Sequence, residues 1–225
     1  MSDIGSCNAI VFDAYGTLFD VTAPAQAILG NCADALNQVW RRKQLEYSWL
    51  RSLMGRHADF AEITAEALDY ALAANGFDDR QLAAHLLAAY RLLPAYSDAP
   101  AVLAAIRASG RRNAILSNGS PEMLSAAVAS AGLGNALDMV LSVEDVGIFK
   151  PHPKVYALAS ERLDLAPNKI CFVSANGWDA AGGAVFGFRV VWLDRRGEPE
   201  ERLPGRPAVR NASLNDLPAL LGIPL

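Results

Sequence analysis

A chain of 225 residues, 52% apolar and 20% charged, has enough apolar surface for one large domain or for a core with a smaller insert, and its composition excludes intrinsic disorder. Its formal charge of −4, with the basic residues scattered, argues against nucleic acid as the main partner, although one or two local cations still suit a narrow pocket for a small anion. No run reaches the roughly 18 apolar residues of a membrane span, and the first residues lack a secretory pattern, so no membrane association and a soluble cytoplasmic protein are expected.

Ala9-Ile10-Val11-Phe12 is a continuous apolar run and reads as a strand buried on both faces. It stops at Asp13-Ala14-Tyr15-Gly16-Thr17. A charged residue at the carboxyl end of a buried strand, followed by a glycine turn, is where open α/β sheets hold their ligands. From about Ala23 to Leu93 the pattern is helical alone. Ile28, Cys32, Leu36, Val39 and Trp40 recur at helical spacing, as do Phe60, Ile63, Ala67, Leu68, Ala71 and Leu72, ending near Gly76. Leu82, Leu86, Ala89, Tyr90 and Leu93 form a third stripe, which Pro94 stops. This block has no strand pattern and reads as a helical insert.

After Asp98 the chain alternates. A helix carrying Val102, Leu103 and Ile106 ends at Gly110, which suits a left-handed cap. Ala114-Ile115-Leu116 reads as a strand ending at Ser117-Asn118-Gly119, and Ser120-Pro121 as the start of a helix that Gly132 stops. Met139-Val140-Leu141 is a short strand, Tyr156 to Leu165 a helix, and Ile170-Cys171-Phe172-Val173 a strand ending at Ser174. Phe188 to Leu193 completes the set before a Pro/Gly/Arg-rich loop and a short helix after Ser213. Such alternation specifies an α/β fold, a doubly wound, mostly parallel sheet covered by helices on both faces. Cys7, Cys32 and Cys171 match neither a disulfide framework nor a zinc spacing, and His57, His85 and His152 have no ligand partner at a convincing spacing.

Polar residues fall at the ends of three of these strands: Asp13, Ser117-Asn118, and Ser174-Asn176-Asp179. Lys150 stands on a loop before Pro151. Parallel strands point the same way, so these positions converge on one rim. A single strand-end aspartate is as often a turn or helix cap as a catalyst; the coincidence of several with a lysine favours a site.

Four segments, Asp13-Ala14-Tyr15-Gly16-Thr17-Leu18, Leu116-Ser117-Asn118-Gly119-Ser120-Pro121, Lys150-Pro151 and Ser174-Ala175-Asn176-Gly177-Trp178-Asp179, resemble the signature motifs of the haloacid dehalogenase superfamily. Trp40-Arg41-Arg42-Lys43-Gln44-Leu45-Glu46-Tyr47 resembles the cap motif of its L-2-haloacid dehalogenases. The resemblance runs from the first strand to about Trp192. It implies a core of residues 1–20 and 96–225, a helical cap of 21–95, no metal or organic cofactor, a small 2-halo carboxylate as substrate, and a homodimer.

Tyr15 separates the activities within this superfamily. Its phosphatases carry a second aspartate two residues after the nucleophile, as general acid for the leaving alcohol, and the backbone there also helps hold Mg²⁺. An alkoxide needs that proton, whereas halide departs as a stable anion. The missing aspartate therefore favours dehalogenation, whether or not Tyr15 also packs against its neighbours. Aspartate side chains, with a reference pKa of about 3.9, are ionised at neutral pH, so Asp13 as nucleophile needs no activating base.

The resemblance gives the other residues roles, each with a plainer alternative. Arg41, with Asn118 and the edge of Trp178, cradles the halide, or Arg41 belongs with Arg42 and Lys43 to a solvated helix face. Ser117 and nearby backbone N–H groups hold the substrate carboxylate, or Ser117 only caps. Thr17 orients Asp13 or closes the turn. Lys150 pairs with Asp13 and Asp179 or is a surface charge. Ser174, Asn176 and Asp179 position the hydrolytic water, with Asp179 as base, and Tyr156 joins this network or packs its helix. Leu45, Phe60, Tyr15 and Trp178 wall the halogen pocket, or Leu45 and Phe60 fill the cap core. A magnesium-dependent phosphatase and a catalytically silent acid-binding relative are the rival readings.

Overall fold

A computed structural model describes residues 4–223. Strand β1 (Ala9–Phe12) is buried at all four positions, as a strand flanked by neighbours on both edges and helices on both faces must be. Four helices follow: α1 (Ala23–Leu29), α2 (Ala33–Met54), α3 (Phe60–Ala74) and α4 (Arg80–Tyr90). The chain then alternates through α5 (Ala99–Ala108), β2 (Arg112–Ser117), α6 (Pro121–Ser130), β3 (Met139–Ser142), α7 (Pro153–Leu163), β4 (Ile170–Ser174), α8 (Gly177–Phe186), β5 (Arg189–Leu193), β6 (Val209–Asn211) and α9 (Leu217–Leu220).

The strands form one sheet in the order β3-β2-β1-β4-β5-β6, and every ladder is parallel. Strand order reverses between β1 and β4, so the carboxyl end of β1 opens onto the crevice where doubly wound sheets bind ligands. Phe12 pairs in register with Ile115 and Val173, which brings the ends of β1, β2 and β4 to one level. Gly110 closes α5 with φ +81°, a conformation costly for any residue carrying a Cβ.

The four-helix block packs chiefly through α2 against α3. Trp40 donates its indole N–H to the Thr64 carbonyl at 2.9 Å, and Gln44 donates to the Thr64 hydroxyl at 3.0 Å, satisfying polar groups that burial would otherwise leave bare. The chain leaves and re-enters the sheet layer along paired segments. Asp20 N–H bonds to the Pro94 carbonyl and Tyr96 N–H to the Leu18 carbonyl, each at 2.9 Å.

Three expectations need correction. The apolar spacing from Ile28 to Trp40 is not one helix, because Gly30 (φ +53°) ends α1 and a 3₁₀ turn through Cys32 precedes α2, leaving Ile28 and Cys32 exposed. The Pro/Gly/Arg-rich stretch is not all loop, since Val209–Asn211 adds an edge strand to β5. Helix α7 begins three residues earlier than Tyr156, where Pro153 occupies its first turn and the His152 ring accepts the Lys154 N–H at 3.2 Å. Among the described residues, no helix is long and apolar enough to cross a membrane.

Candidate active site

Asp13 follows β1 directly and is 5% exposed. A carboxylate buried this far needs donors for its lone pairs, and both oxygens have them. The Lys150 ammonium donates to Oδ1 at 3.2 Å, while Oδ2 accepts from the Thr17 hydroxyl at 3.1 Å and from the Asn176 amide at 2.8 Å. The Thr17 oxygen itself accepts the Ala175 N–H at 2.8 Å, which fixes its hydroxyl between the β1 and β4 turns. Asp13 is therefore held in one rotamer by groups from three turns.

Asp179, in the first turn of α8, is fully buried. Its Oδ2 accepts from Lys150 at 2.8 Å and from the Ser174 hydroxyl at 2.9 Å, and its Oδ1 accepts from the Tyr156 hydroxyl at 2.8 Å. Burial and the neighbouring Asp13 charge raise the Asp179 pKa above the ordinary carboxylate range, and Lys150 opposes them. For Lys150, burial works to lower the pKa, but Asp13 and Asp179 together outweigh it and hold the ammonium above its usual range. Burial, then Asp179, pushes the Tyr156 phenol well above its ordinary value and keeps it a neutral donor.

Over this network lies a cleft of about 960 Å³. Tyr15, Asn176 and Trp178 supply its floor from the sheet side, and Arg41, Leu45 and Trp49 line it from α2. These last three recur every fourth residue, so one helix face presents all of them. An Arg41 guanidinium nitrogen lies 3.4 Å from Asn176 Oδ1, and the same Asn176 amide group bonds to Asp13, so only one side chain separates cation and carboxylate. Trp49 donates its indole N–H to the Lys150 carbonyl at 3.1 Å and meets Trp178 edge to face at 5.3 Å. Tyr15 owes its position to Gly119: a Cβ there would stand 2.6 Å from the Tyr15 ring.

Other residues singled out in the sequence sit behind this wall. Ser117 is fully buried, and its hydroxyl accepts the Gly119 N–H at 3.1 Å. Asn118 Oδ1 accepts the Lys150 N–H at 3.0 Å, which ties the β2 turn to the lysine loop. Phe60 packs behind Tyr15 in a tilted ring pair with centroids 5.9 Å apart. Among the cleft residues that the sequence did not single out as site members are Trp49 and Tyr90. Trp49 was legible as the next member of the Arg41, Leu45 series; Tyr90 carried the same helical spacing as the core residues beside it.

Magnesium requires several oxygen donors turned toward one point. Here the Asn176 amide nitrogen already bridges Asp13 Oδ2 (2.8 Å) and the Tyr15 carbonyl (3.3 Å), and Lys150 stands between Asp13 and Asp179. A donor occupies each position where a cation would join two oxygens, so these residues do not fit the superfamily's magnesium.

The parallel sheet with its switch-point aspartate, buried lysine and strand-end polar cluster defines a class, and the chain belongs to the haloacid dehalogenase-like hydrolase family, whose profile matches residues 7–187. It is 47% identical over 217 residues to (S)-2-haloacid dehalogenase 1 of Pseudomonas sp. (strain CBS-3), covering 95% of this chain and 96% of that one. Among solved structures, a dehalogenase with an intermediate complex superposes with a TM-score of 0.93 at 44% identity, over 96% of this chain and 97% of the other. The L-2-haloacid dehalogenase from Xanthobacter autotrophicus with chloropropionic acid covalently bound gives 0.89 at 41% identity, over 96% and 98%.

Proposed function

We propose that the protein is an (S)-2-haloacid dehalogenase, which hydrolyses short-chain L-2-halo acids to D-2-hydroxy acids and halide. The observation that carries this reading is Asp13, ionisable, fixed by three donors and one side chain from Arg41, beside a tyrosine where phosphoryl transfer needs an acid. An Asp13 oxygen attacks C2 opposite the halogen, the C–halogen electron pair leaves with the halide, and the centre inverts. Lys150, Thr17 and Asn176 hold Asp13 in the attacking geometry, and such fixation replaces a large entropic cost of meeting the substrate in solution.

Arg41 stabilises the halide as charge develops, with Trp178 and Asn118 completing its surroundings. The substrate carboxylate binds to backbone N–H groups after Asp13 and near Asn118, in a turn that Ser117 shapes. Tyr15 and Leu45, with Phe60 packed behind Tyr15, supply the apolar wall that keeps competing water from the charge interactions. Water then adds to the Asp13 carbonyl carbon. Asp179 takes its proton, a role its raised pKa favours, while Ser174, Asn176 and Tyr156 hold the water and the base in line. The adduct then collapses with cleavage of the ester C–O bond, Asp179 returns the proton to the departing hydroxy-acid oxygen, and Asp13 regains its carboxylate by releasing the remaining proton to solvent.

The helices between residues 21 and 95 act as a cap over a core of residues 1–20 and 96–225, and reaction occurs in the cleft between them. The enzyme works without a metal, in the cytoplasm, and as a homodimer. Leu50, Leu53 and Met54, exposed together at the end of α2, supply apolar surface for a second copy. Halide release from L-2-chloropropionate with and without chelator tests the reading. Chelator-insensitive release supports it; chelator-sensitive phosphate release from a phosphomonoester, or acid binding without turnover, contradicts it.

A further inference from the structure

Tyr90, the last residue of α4, takes no part in the reaction set out above. It is 3% exposed and lines the cleft, its ring 5.0 Å from Trp40 and stacked 5.9 Å from Tyr15. Its hydroxyl is buried and has no partner at hydrogen-bonding geometry, although Gln44 and Arg41 both act on it from close by, and the buried Tyr15 hydroxyl has no such partner either. A buried hydroxyl without a partner costs roughly 1–3 kcal/mol, so two of them side by side in a cleft wall call for a ligand.

The neighbourhood says what kind. Burial raises both phenols above the ordinary tyrosine value, so both are neutral donors at working pH. Arg41, whose charge acts on both, is a donor without acceptor capacity. The Gln44 amide nitrogen is committed to Thr64. The two phenols and Arg41 line one cleft as donors, and a ligand that satisfies them there is an acceptor. Arg41 lines the same cleft as both phenols, and that cleft lies over Asp13, so an acceptor bound in it shares the space of the reaction.

We propose that the Tyr90 hydroxyl donates a hydrogen bond to the halogen as it leaves as halide, and that this bond discriminates among halogens. The inference rests on the dehalogenase reading and extends it to a residue from the end of the cap. The proton stays on Tyr90 throughout; the halide takes the electron pair of its bond to C2 as the Asp13 oxygen bonds to that carbon. Chloride concentrates its charge more than bromide and is the stronger acceptor, so it gains more from the donor.

Tyr90→Phe keeps the ring stack and removes only the hydroxyl. First-turnover halide release from L-2-chloropropionate is expected to fall about tenfold, and release from L-2-bromopropionate clearly less. Product inhibition by chloride is expected to weaken, with the unfolding midpoint unchanged or raised. An equal fall for both acids with unaltered chloride inhibition would place the hydroxyl against the carboxylate and overturn the proposal. A lowered midpoint with unaltered kinetics would make it a structural bond and overturn it equally. In the wild-type enzyme, bound bromide located by its anomalous scattering is expected within hydrogen-bonding reach of Tyr90 Oη, and bromide elsewhere in the cleft contradicts the proposal whatever the variant does. If wild type releases no halide from either acid, the dehalogenase reading fails first; if it does and the halogen ratio ignores Tyr90, only this inference fails.

Discussion

Lys150 reaches Asp13 from beneath the cleft: its ammonium, 1% exposed, donates to Asp13 Oδ1 at 3.2 Å. The same cation holds Asp179, so removing it leaves two carboxylates buried together with no positive charge between them. Breaking one partner out of a buried ion network costs about 3–5 kcal/mol. Lys150→Met is therefore expected to lower the unfolding midpoint by many degrees and to cut first-turnover halide release at least a hundredfold. A variant that unfolds at the wild-type midpoint would show that the carboxylates do not depend on the lysine.

The two shifted groups set opposite ends of the pH response. Asp179 has its folded-state pKa raised, so the fold binds more protons than the unfolded chain just above the ordinary aspartate value of 3.8, and stability from this group is lost as pH rises through that window. Lys150 is also raised, so its contribution is fully present below the ordinary lysine value of 10.5 and disappears only as pH rises through the folded one. With Asp179 as the base of the proposed reaction, turnover needs it ionised. Its acid limb is thus expected above the ordinary aspartate range, with no alkaline limb from Lys150 below about pH 10.5. In Asp179→Asn, turnover should collapse while one equivalent of halide per active site is still released. Undiminished turnover in that variant would remove Asp179 as the base.

Gly119 and Tyr15 make a steric pair. A Cβ at 119 would lie 2.6 Å from Tyr15 Cε2 and 2.8 Å from its hydroxyl, so the ring must leave the cleft wall. Gly119→Ala is expected to cost about 1–3 kcal/mol of stability and to reduce kcat/KM at least tenfold. Gly134→Ala, where a Cβ meets nothing within 4 Å, is the control and should change neither. Full activity in Gly119→Ala would mean that Tyr15 does not need its present position.

Arg41 approaches the Asp13 cluster through one guanidinium nitrogen, 3.4 Å from Asn176 Oδ1. Lysine keeps the charge but lacks the planar fork, and its shorter reach takes the charge away from the position proposed for the halide. Arg41→Lys is expected to lose about a hundredfold in kcat with little change in unfolding midpoint. Wild-type kcat would return Arg41 to a solvated helix face.

The sheet was legible because its central strands are unbroken apolar runs, such as Ala9–Phe12 and residues 170–173, and their polar ends follow directly. Strand β6 was not, since Val209–Asn211 is three residues long, lies at the sheet edge and has no buried position to leave an apolar run. Ser117 and Asn118 were visible as strand-end residues, but their side chains turn to the Gly119 and Lys150 N–H groups, and periodicity carries no record of that direction. Tyr90 shows the same limit from the other side: helical spacing places it on the inner face of α4 without distinguishing packed core from cleft wall.

The path of the oxygen atom tests the mechanism most directly. With enzyme in excess over L-2-chloropropionate in ¹⁸O-labelled water, a single turnover through an aspartyl ester puts the solvent label in the Asp13 carboxylate and leaves the 2-hydroxy acid unlabelled. Mass spectrometry of the peptide spanning Asp13 is expected to show one added ¹⁸O. Label in the hydroxy acid with none in that peptide would mean that water attacks C2 itself, and Asp13 would not be the nucleophile.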